Sequence, residues 1–521
     1  MSEETSNANA KWDVIVIGSG MGGMVAAAAL SRVGHKVLLL EQYSSLGGQT
    51  HSFSREGFTW DAGIHYLGKI GASEQTENAV LDWLTDTPIE FAPVGAIYDT
   101  LHIGDAPPLH LSRPSEAQKL DLKERFPDEG DAIDAWYSAM HDGLEAFETV
   151  AQARSMPKVF ASAVKWWNGR RIKRWCERTT AEVANDLTDN PELAAVFSAQ
   201  WGDFGGRPST TSFALHAAVV GSYLDRGGYY PVGGGSAIGQ QLLATITSAG
   251  GEARAGVTVQ SLLFEDDRVV GVATSDGEEL YAIKVASNIG ARETVDRLLP
   301  QDHHHQSWVD EIRSLGRNIC HFSLFLGFAG DIEAAGATKA NHWLYPNGET
   351  DVVWTDAPDS VPPAMFVSFA SLKDPAHDPG PARKHSGELI AWADWSTVER
   401  WAKLPPGQRG EDYREFKTRV DAILFEQLQK YFPRLAELVV FREVATPLVT
   451  ASITGHTKGS FYGLDVTPKR VLSDALRMKT PIEGLYLTGQ DAVSPGIPGA
   501  LWGGMLCAAS IDPKVFTHLG G

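Results

Sequence analysis

Residues 12–41 read WDVIVIGSGMGGMVAAAALSRVGHKVLLLE. Trp12 to Ile17 is an apolar, β-branched run, the pattern of a strand buried on both faces in a parallel sheet. Gly18-Ser19-Gly20-Met21-Gly22-Gly23 follows and matches G-x-G-x-x-G. The small and apolar stretch Met24 to Val33 predicts a helix, and Lys36 to Leu40 a second strand ending in Glu41. Gly18 permits the tight turn out of the strand, Gly20 lets the backbone approach a pyrophosphate, and Gly23 lets the helix lie close to the sheet. The helix N-terminus presents unpaired N–H groups to the phosphates. Glu41 lies 18 residues beyond Gly23, where a carboxylate can accept hydrogen bonds from a ribose. In a chain with 52 glycines a bare motif means little. Strand, glycines, helix, strand and terminal acid in this order predict a dinucleotide-binding unit.

The chain has 521 residues, enough for two to four compact units with a large core. Its 43% hydrophobic and 21% charged residues are ordinary for a globular protein. A formal net charge of −20 argues against nucleic acid as a partner, because phosphate binding needs clustered Lys and Arg. Cys176, Cys320 and Cys507 are far apart, without C-x-x-C spacing, so neither a disulfide framework nor a zinc site is expected. The polar start MSEETSNANA does not read as a signal peptide, and no apolar run approaches the ~20 residues of a membrane span. A cytoplasmic protein with at most peripheral membrane contact is the expectation.

Beyond Glu41 come Gly47-Gly48-Gln49-Thr50, then a hairpin over 52–60 turning at Gly57, then Asp61-Ala62-Gly63-Ile64-His65-Tyr66. Residues 74–150 read as mostly helical and polar, broken near Pro107, Pro108 and Pro127. The segment 149–176 reverses the local charge. It carries Arg154, Lys158, Lys165, Arg170, Arg171, Lys173 and Arg174 with no acid, interleaved with Phe160, Val164, Trp166, Trp167 and Trp175. It reads either as a solvated helical face or as a monotopic contact with an anionic membrane. Further on, Tyr230-Pro231-Val232-Gly233-Gly234 makes a turn, a helix is expected over 236–249, and strands over 252–264, 268–274 and 282–288. Other strand candidates are 320–330, 364–371 and 388–395, and a long helix is expected over 413–431. Near the end, Gly484 to Asp491 reads as a short strand running into a polar turn. Gly496-Ile497-Pro498-Gly499-Ala500 then opens a small-residue helix over 501–511. This second strand, glycine turn and helix start is expected to return to the first unit and complete one cofactor site.

Several of these stretches together resemble the FAD-dependent amine oxidase and phytoene desaturase superfamily. They include LEQYSSLGGQTHSFSREGFTWDAGIHYLG (40–68), SFASLKDP (368–375), KGSFYGLD (458–465) and LYLTGQDAVSPGIPGA (485–500). Within the superfamily they are most similar to the retinol saturase and carotenoid isomerase branch. The first 70 and last 60 residues carry most of the resemblance, and 74–225 little. It implies an α/β fold with a Rossmann-type FAD-binding domain, discontinuous over 1–105, 226–300 and 460–521, and an α+β substrate domain over 106–225 and 301–459. It implies FAD rather than NAD, with Gly18, Ser19, Gly20, Gly22 and Gly23 around the pyrophosphate and Glu41, beside Gln42, on the adenosine ribose. Gly48, Gln49 and Thr50 would lie along the phosphates and flavin, and Val259 would meet the adenine through its backbone. Asp491, after Gly489, would hold ribityl or pyrophosphate oxygens, with Ile497, Gly499 and Ala500 near the flavin ring.

The implied chemistry is redox at a carbon–carbon double bond of a lipophilic conjugated alkene, a retinoid, carotenoid or related lipid, most of all saturation. Desaturation and cis–trans isomerisation use the same site. No second complete G-x-G-x-x-G unit exists, so NAD(P)H as electron donor would visit transiently, or another reductant serves. Saturation needs a proton donor, and His65 and Tyr66 are the candidates. Lys373 and Asp374 read as a surface ion pair, and His456 and Lys458 as further candidates for the cavity. His303-His304-His305 reads as a solvated loop, since consecutive histidines suit a metal poorly. Amine oxidation is a rival reading. A non-catalytic lipid escort like the Rab GDP-dissociation inhibitors is a rival of another class, disfavoured by the intact fingerprint with Glu41.

Overall fold

The computed structural model describes residues 10–72, 76–303 and 307–517. The polar start through residue 9 lies outside them, as do His304 and His305.

Trp12–Ile17 (β1) is the centre of a seven-stranded sheet. It pairs in parallel with Val37–Leu40 (β2) on one side and with Glu279–Ser287 on the other. Glu252–Arg254 extends the sheet beyond β2 in parallel, and Leu485–Leu487, from the far end of the chain, pairs in parallel with Glu279–Ser287. Val259–Glu265 and Arg268–Thr274 form an antiparallel flap on the remaining edge. The helix Met21–Arg32 (α1) is buried from Met21 through Ser31. It is apolar all round because it has no solvent face: it packs between the sheet and the helices Ser236–Ser248 and Gly496–Ile511.

A second seven-stranded sheet runs in the order Val439–Ala445, Cys320–Ala329, Lys384–Ala393, Met365–Ser368, Asn341–Tyr345, Ile97–Ile103, Leu109–Ser112. It is antiparallel except where Asn341–Tyr345 runs parallel to Ile97–Ile103. Its central strands are buried on both faces. The hairpin Ser52–Arg55 and Phe58–Asp61 leans on it, with Trp60 Nε1 donating to the carbonyls of Leu326 and Gly387 at 3.1 Å each.

Two expectations need refinement. Residues 74–150 are mostly helical as expected, over Thr76–Leu84, Ser115–Arg125 and from Gly130 onward, but 97–103 and 109–112 form strands not expected there. Tyr98, Asp99, Thr100 and Leu101 are all buried, so Ile97–Ile103 carries no period-two signal, and the polar Asp99 and Thr100 interrupt its apolar run. The expected boundary at residue 105 therefore falls inside this hairpin. The basic segment is also not one surface, because Arg154 and Trp175 are buried. The Arg154 guanidinium donates to the carbonyls of Ala492, Arg470 and Val471 at 2.8–2.9 Å, pinning the end of the helix Gly130–Ala153 to the C-terminal turn. Among the described residues no helix is long and apolar enough to cross a membrane.

The approach of α1 to β1 is set by Gly23, where an added Cβ would lie 2.0 Å from the Gly18 carbonyl oxygen. Gly23→Ala is expected to lower the unfolding free energy by about 1–3 kcal/mol, as overpacking against backbone does. Gly169→Ala, where a Cβ meets nothing within 4 Å, should change it by less than ~0.5 kcal/mol. Denaturant titration of both variants checks the pair.

Candidate functional site

The acid that ends β2 gathers the glycine turns. Glu41 Oε2 accepts from Ser19 N at 2.9 Å and from Ser19 Oγ at 2.8 Å, and Oε1 accepts from Tyr43 N at 2.8 Å. Ser19 Oγ accepts in turn from Gly47 N at 2.9 Å. The turn at Gly18 and the turn at Gly47-Gly48 are thus drawn together, so closely that a Cβ on Gly48 would come within 2.8 Å of the Gly20 Cα. Above them sits the start of α1, which has Gly20 as its N-cap, no side-chain cap and no acid in its first turn. Its first N–H groups are left for an outside acceptor.

The C-terminal turn closes the same place. Gly22 stands where a Cβ would lie 2.4 Å from the Gly489 Cα, and a Cβ on Gly489 would lie 2.2 Å from Asn288 Oδ1. Asp491 is buried and straps three segments: its carboxylate accepts from Ala291 N at 2.8 Å and Leu464 N at 2.9 Å.

A cavity of about 1310 Å³ opens from these turns. This exceeds the ~300–1,000 Å³ usual for one small-molecule pocket. Gly18, Gly20, Gly22, Glu41, Gln42, Gly48, Gln49, Thr50, Val259, Asp491, Ile497, Gly499 and Ala500 all line it, as do His65, Tyr66 and His456. Ser19, Gly23 and Gly489 stand behind the wall, where Ser19 serves Glu41 and the two glycines allow backbone contact. Lys458 does not line it. The same cavity is lined by His65, Tyr66, His321 and Phe461, and by the apolar Leu144, Phe147, Ala151, Met156 and Val219 together with Glu148 and Gln152.

Around His65 and Tyr66 of this lining lies a buried polar cluster. The His65 ring stands edge-on to Phe366, with Nε2 3.9 Å from Glu388 Oε2. Burial, reinforced by Lys373 and His321, pulls the His65 imidazole down to about 3, and burial pushes the Glu388 carboxyl up to about 8. Both are neutral at pH 7, so this contact is not an ion pair. Burial likewise holds His321 down to about 4. Tyr66 stacks on Tyr223 with ring centroids 4.4 Å apart, and its hydroxyl lies between Asp99 and Asp203, at 2.9 and 2.8 Å.

Lys373 is the largest departure from expectation. It is not a surface residue paired with Asp374 but is 0% exposed. Its Nζ donates to the His65 carbonyl and to Ser368 Oγ, both at 2.8 Å, and to Asn341 Oδ1. Burial draws the ammonium down to about 7 against the opposing pull of Asp99 and Asp203. Asp374 instead accepts from the N–H groups of Gly233 and Ala376. Sequence reasoning also passed over His321, Ser323, Asp203 and Glu388. One signal was present: Glu388 is a lone acid inside the apolar run of a central strand, a position that a carboxylate occupies only with a purpose or a partner.

Comparison with known proteins agrees with this geometry. Residues 16–82 match the family model described as an NAD(P)-binding Rossmann-like domain. The all-trans-retinol 13,14-reductase of Rattus norvegicus is 32% identical over 96% of this chain and 86% of its own length. A chloroplastic prolycopene isomerase of Daucus carota is 26% identical over 96% of this chain and 79% of its own. Among solved structures, cyclohexylamine oxidase from Brevibacterium oxydans superposes with a TM-score of 0.61 over 97% of this chain and 99% of that one, at 15% identity, a likeness of fold. The chain belongs to the family of all-trans-retinol 13,14-reductases and prolycopene isomerases, oxidoreductases built on an α/β Rossmann-like fold with a second mixed sheet.

Proposed function

We propose that this protein holds FAD between its two chain ends and saturates one double bond of a lipophilic conjugated alkene. The observation that carries this is that one cavity is lined at once by glycine turns suited to a pyrophosphate, by apolar side chains, and by His65, Tyr66 and His321. The residues fit the dinucleotide. Gly20, Gly22 and Gly48 leave a backbone wall that a Cβ would obstruct, the uncapped start of α1 offers N–H groups to phosphates, and Glu41 keeps lone pairs for a ribose. Bound there, a flavin supplies two-electron chemistry toward an alkene. We assign the sheet around β1 to the cofactor and the second sheet, with the helices over 130–220, to the substrate.

The protein's own part is orientation, exclusion of water and the handling of a proton. Leu144, Phe147, Ala151 and Val219 offer a polyene apolar contact. His65, neutral, cannot serve as a cationic acid near pH 7, and the Tyr66 hydroxyl points at two carboxylates rather than into open cavity. The donor of two-electron equivalents, NAD(P)H or another reductant, would act from solution.

Anaerobically photoreduced protein, mixed with retinoids, carotenoids and unsaturated fatty acids in turn, is expected to be reoxidised by a conjugated polyene. The product should be heavier by the mass of two hydrogens. An isomer of unchanged mass would replace saturation with isomerisation, and inertness toward every polyene with peroxide release from polyamines would replace both with amine oxidation.

A polyene needs a dry route in. Ala151, Ser155 and Met156 line the cavity, and the helix Lys158–Trp167 follows directly. On that helix Val159, Phe160, Trp166 and Trp167 are 79, 65, 80 and 82% exposed, beside exposed Arg170, Lys173 and Arg174. We propose that this face seats on an anionic bilayer, aromatic rings in the interface and cations against head groups. Co-sedimentation with phosphatidylserine vesicles is expected from the unaltered protein and should be lost when Trp166 and Trp167 become Ser and Arg170, Lys173 and Arg174 become Glu. Equal sedimentation of both proteins would remove this route.

A further inference from the structure

Asp203 ends the short helical turn Ala199–Asp203 and faces the main cavity. It also lines a small adjoining cavity of about 30 Å³ shared with His65 and His321. Its carboxyl has Tyr66 as its one hydrogen-bond partner among the described residues. The Tyr66 hydroxyl, however, makes two short contacts, 2.8 Å to Asp203 Oδ2 and 2.9 Å to Asp99 Oδ2. A phenol has a single proton to give. If both carboxyls were ionised, one of these contacts would set lone pair against lone pair in a dry interior. The second contact therefore requires a proton on one carboxyl.

The remaining partners say which. Asp99 Oδ2 also accepts from Gln200 Nε2 at 2.7 Å, and Oδ1 accepts from Asn341 Nδ2 at 3.0 Å. The orientation of Asn341 is not free, because its Oδ1 faces Lys373 Nζ, which can only donate. The three N–H groups of that ammonium are met by Asn341, the His65 carbonyl and Ser368. Asp99 is thus surrounded by donors and linked through one amide to a cation, while Asp203 has Tyr66 as its one hydrogen-bond partner among the described residues and feels that cation only through space.

We infer that Asp203 is a carboxylic acid at neutral pH, donating to the Tyr66 oxygen, and that Tyr66 donates to an ionised Asp99. The resulting line, Lys373–Asn341–Asp99–Tyr66–Asp203, ends in a proton held at the cavity wall. The other titratable groups facing Asp203 are Tyr223, Tyr462, His65 and His321, all neutral here. Burial and the charge of Asp99 hold the Asp203 carboxyl well above the usual carboxylate range. Burial raises Asp99 only to about 6 against its hydrogen bonds from Asn341 and Tyr66.

Resting on the alkene reading above, this proton is the one delivered to substrate. The Asp203 O–H would turn from the Tyr66 oxygen toward the cavity and break, leaving its electron pair on the carboxylate. A C–H bond would form from the electron pair on one alkene carbon, the neighbouring carbon's hydride equivalent being what a reduced flavin dinucleotide would supply. A solvent proton restores the acid.

Infrared difference spectroscopy of the purified holoprotein at pH 7 tests the assignment. Labelling wild-type protein with aspartate carrying ¹³C in its side-chain carboxyl should shift one protonated-carboxyl C=O band that is also sensitive to deuteration. The Glu388 band would not move with this label. The band should vanish in Asp203→Asn, whose amide keeps an N–H toward the Tyr66 oxygen, and persist in Glu388→Gln. No aspartate-derived band in the wild type, or its loss only in Asp99→Asn, would overturn the inference. Where alkene turnover is measured, Asp203→Asn should lower kcat about 10²-fold with KM kept, and an unchanged kcat would remove Asp203 from the proton's path. The infrared readout needs no substrate. An absence of turnover in the wild type therefore counts against the alkene reading, and the band alone decides the state of Asp203.

Discussion

Backbone meets backbone where the first and last turns of the chain close on each other, and side chains larger than hydrogen would hold them apart. Gly22 and Gly489 approach until the space of a methyl group on either is taken, by the other's Cα or by Asn288. Gly503 and Gly504 let the last helix lie against the same turns, where an added Cβ would come within 2.3 Å of the Gly489 oxygen and 2.6 Å of the Gly22 oxygen. Nearly 470 residues separate the partners in sequence, so the contact joins the two ends of the chain. Its consequence is that a single cavity wall is written by both ends of the chain. Glu41 and Asp491 complete the arrangement from opposite sides, each with its carboxylate bound to backbone N–H groups of neighbouring turns.

The second organising element is electrostatic. A protein interior tolerates charge only when it is paired and hydrogen-bonded. Beside the cavity Lys373 and Asp99 meet that requirement through Asn341, while His65, His321 and Glu388 meet it by being neutral. The cluster joins a residue of the glycine-sheet half (Tyr66) to strands of the second sheet (Asp99, Asn341) and to the turn at Asp203. It therefore fixes how the two halves face each other as well as what the cavity wall can do with a proton. Lys373 contributes through the His65 carbonyl, which ties the loop 61–66 to the strand end at Ser368.

The first unit was legible because each of its parts is local. Trp12–Ile17 announces a buried strand by composition, the glycines announce the turn, and Glu41 falls at a spacing set by helix and strand lengths. The strands over 320–329 and 384–393 and the helix over 410–431 were likewise readable from runs and periodicity. The hairpin 97–112 was not, because its first strand is buried on both faces yet carries the polar Asp99 and Thr100 in the middle of its run. Neither was the role of Lys373, since a lysine between Leu372 and Asp374 looks like surface until Asn341 and His65 are folded around it. Asp203, in Gln200-Trp201-Gly202-Asp203-Phe204, has no periodic signal at all. Residues 66, 99, 203, 341 and 373 become one cluster only in three dimensions. The large cavity, by contrast, is lined by many of the residues singled out from the glycine turns, with Ser19, Gly23 and Gly489 standing behind its wall.

The central claim is that both chain ends together enclose one flavin dinucleotide. Denaturing the purified protein and identifying the released nucleotide by chromatography and mass spectrometry, for the unaltered chain and for Gly489→Val, tests it most directly. One FAD per chain from the former and none from a folded form of the latter is the predicted result. Release of a nicotinamide dinucleotide instead, of nothing at all, or of equal FAD from the variant would contradict it.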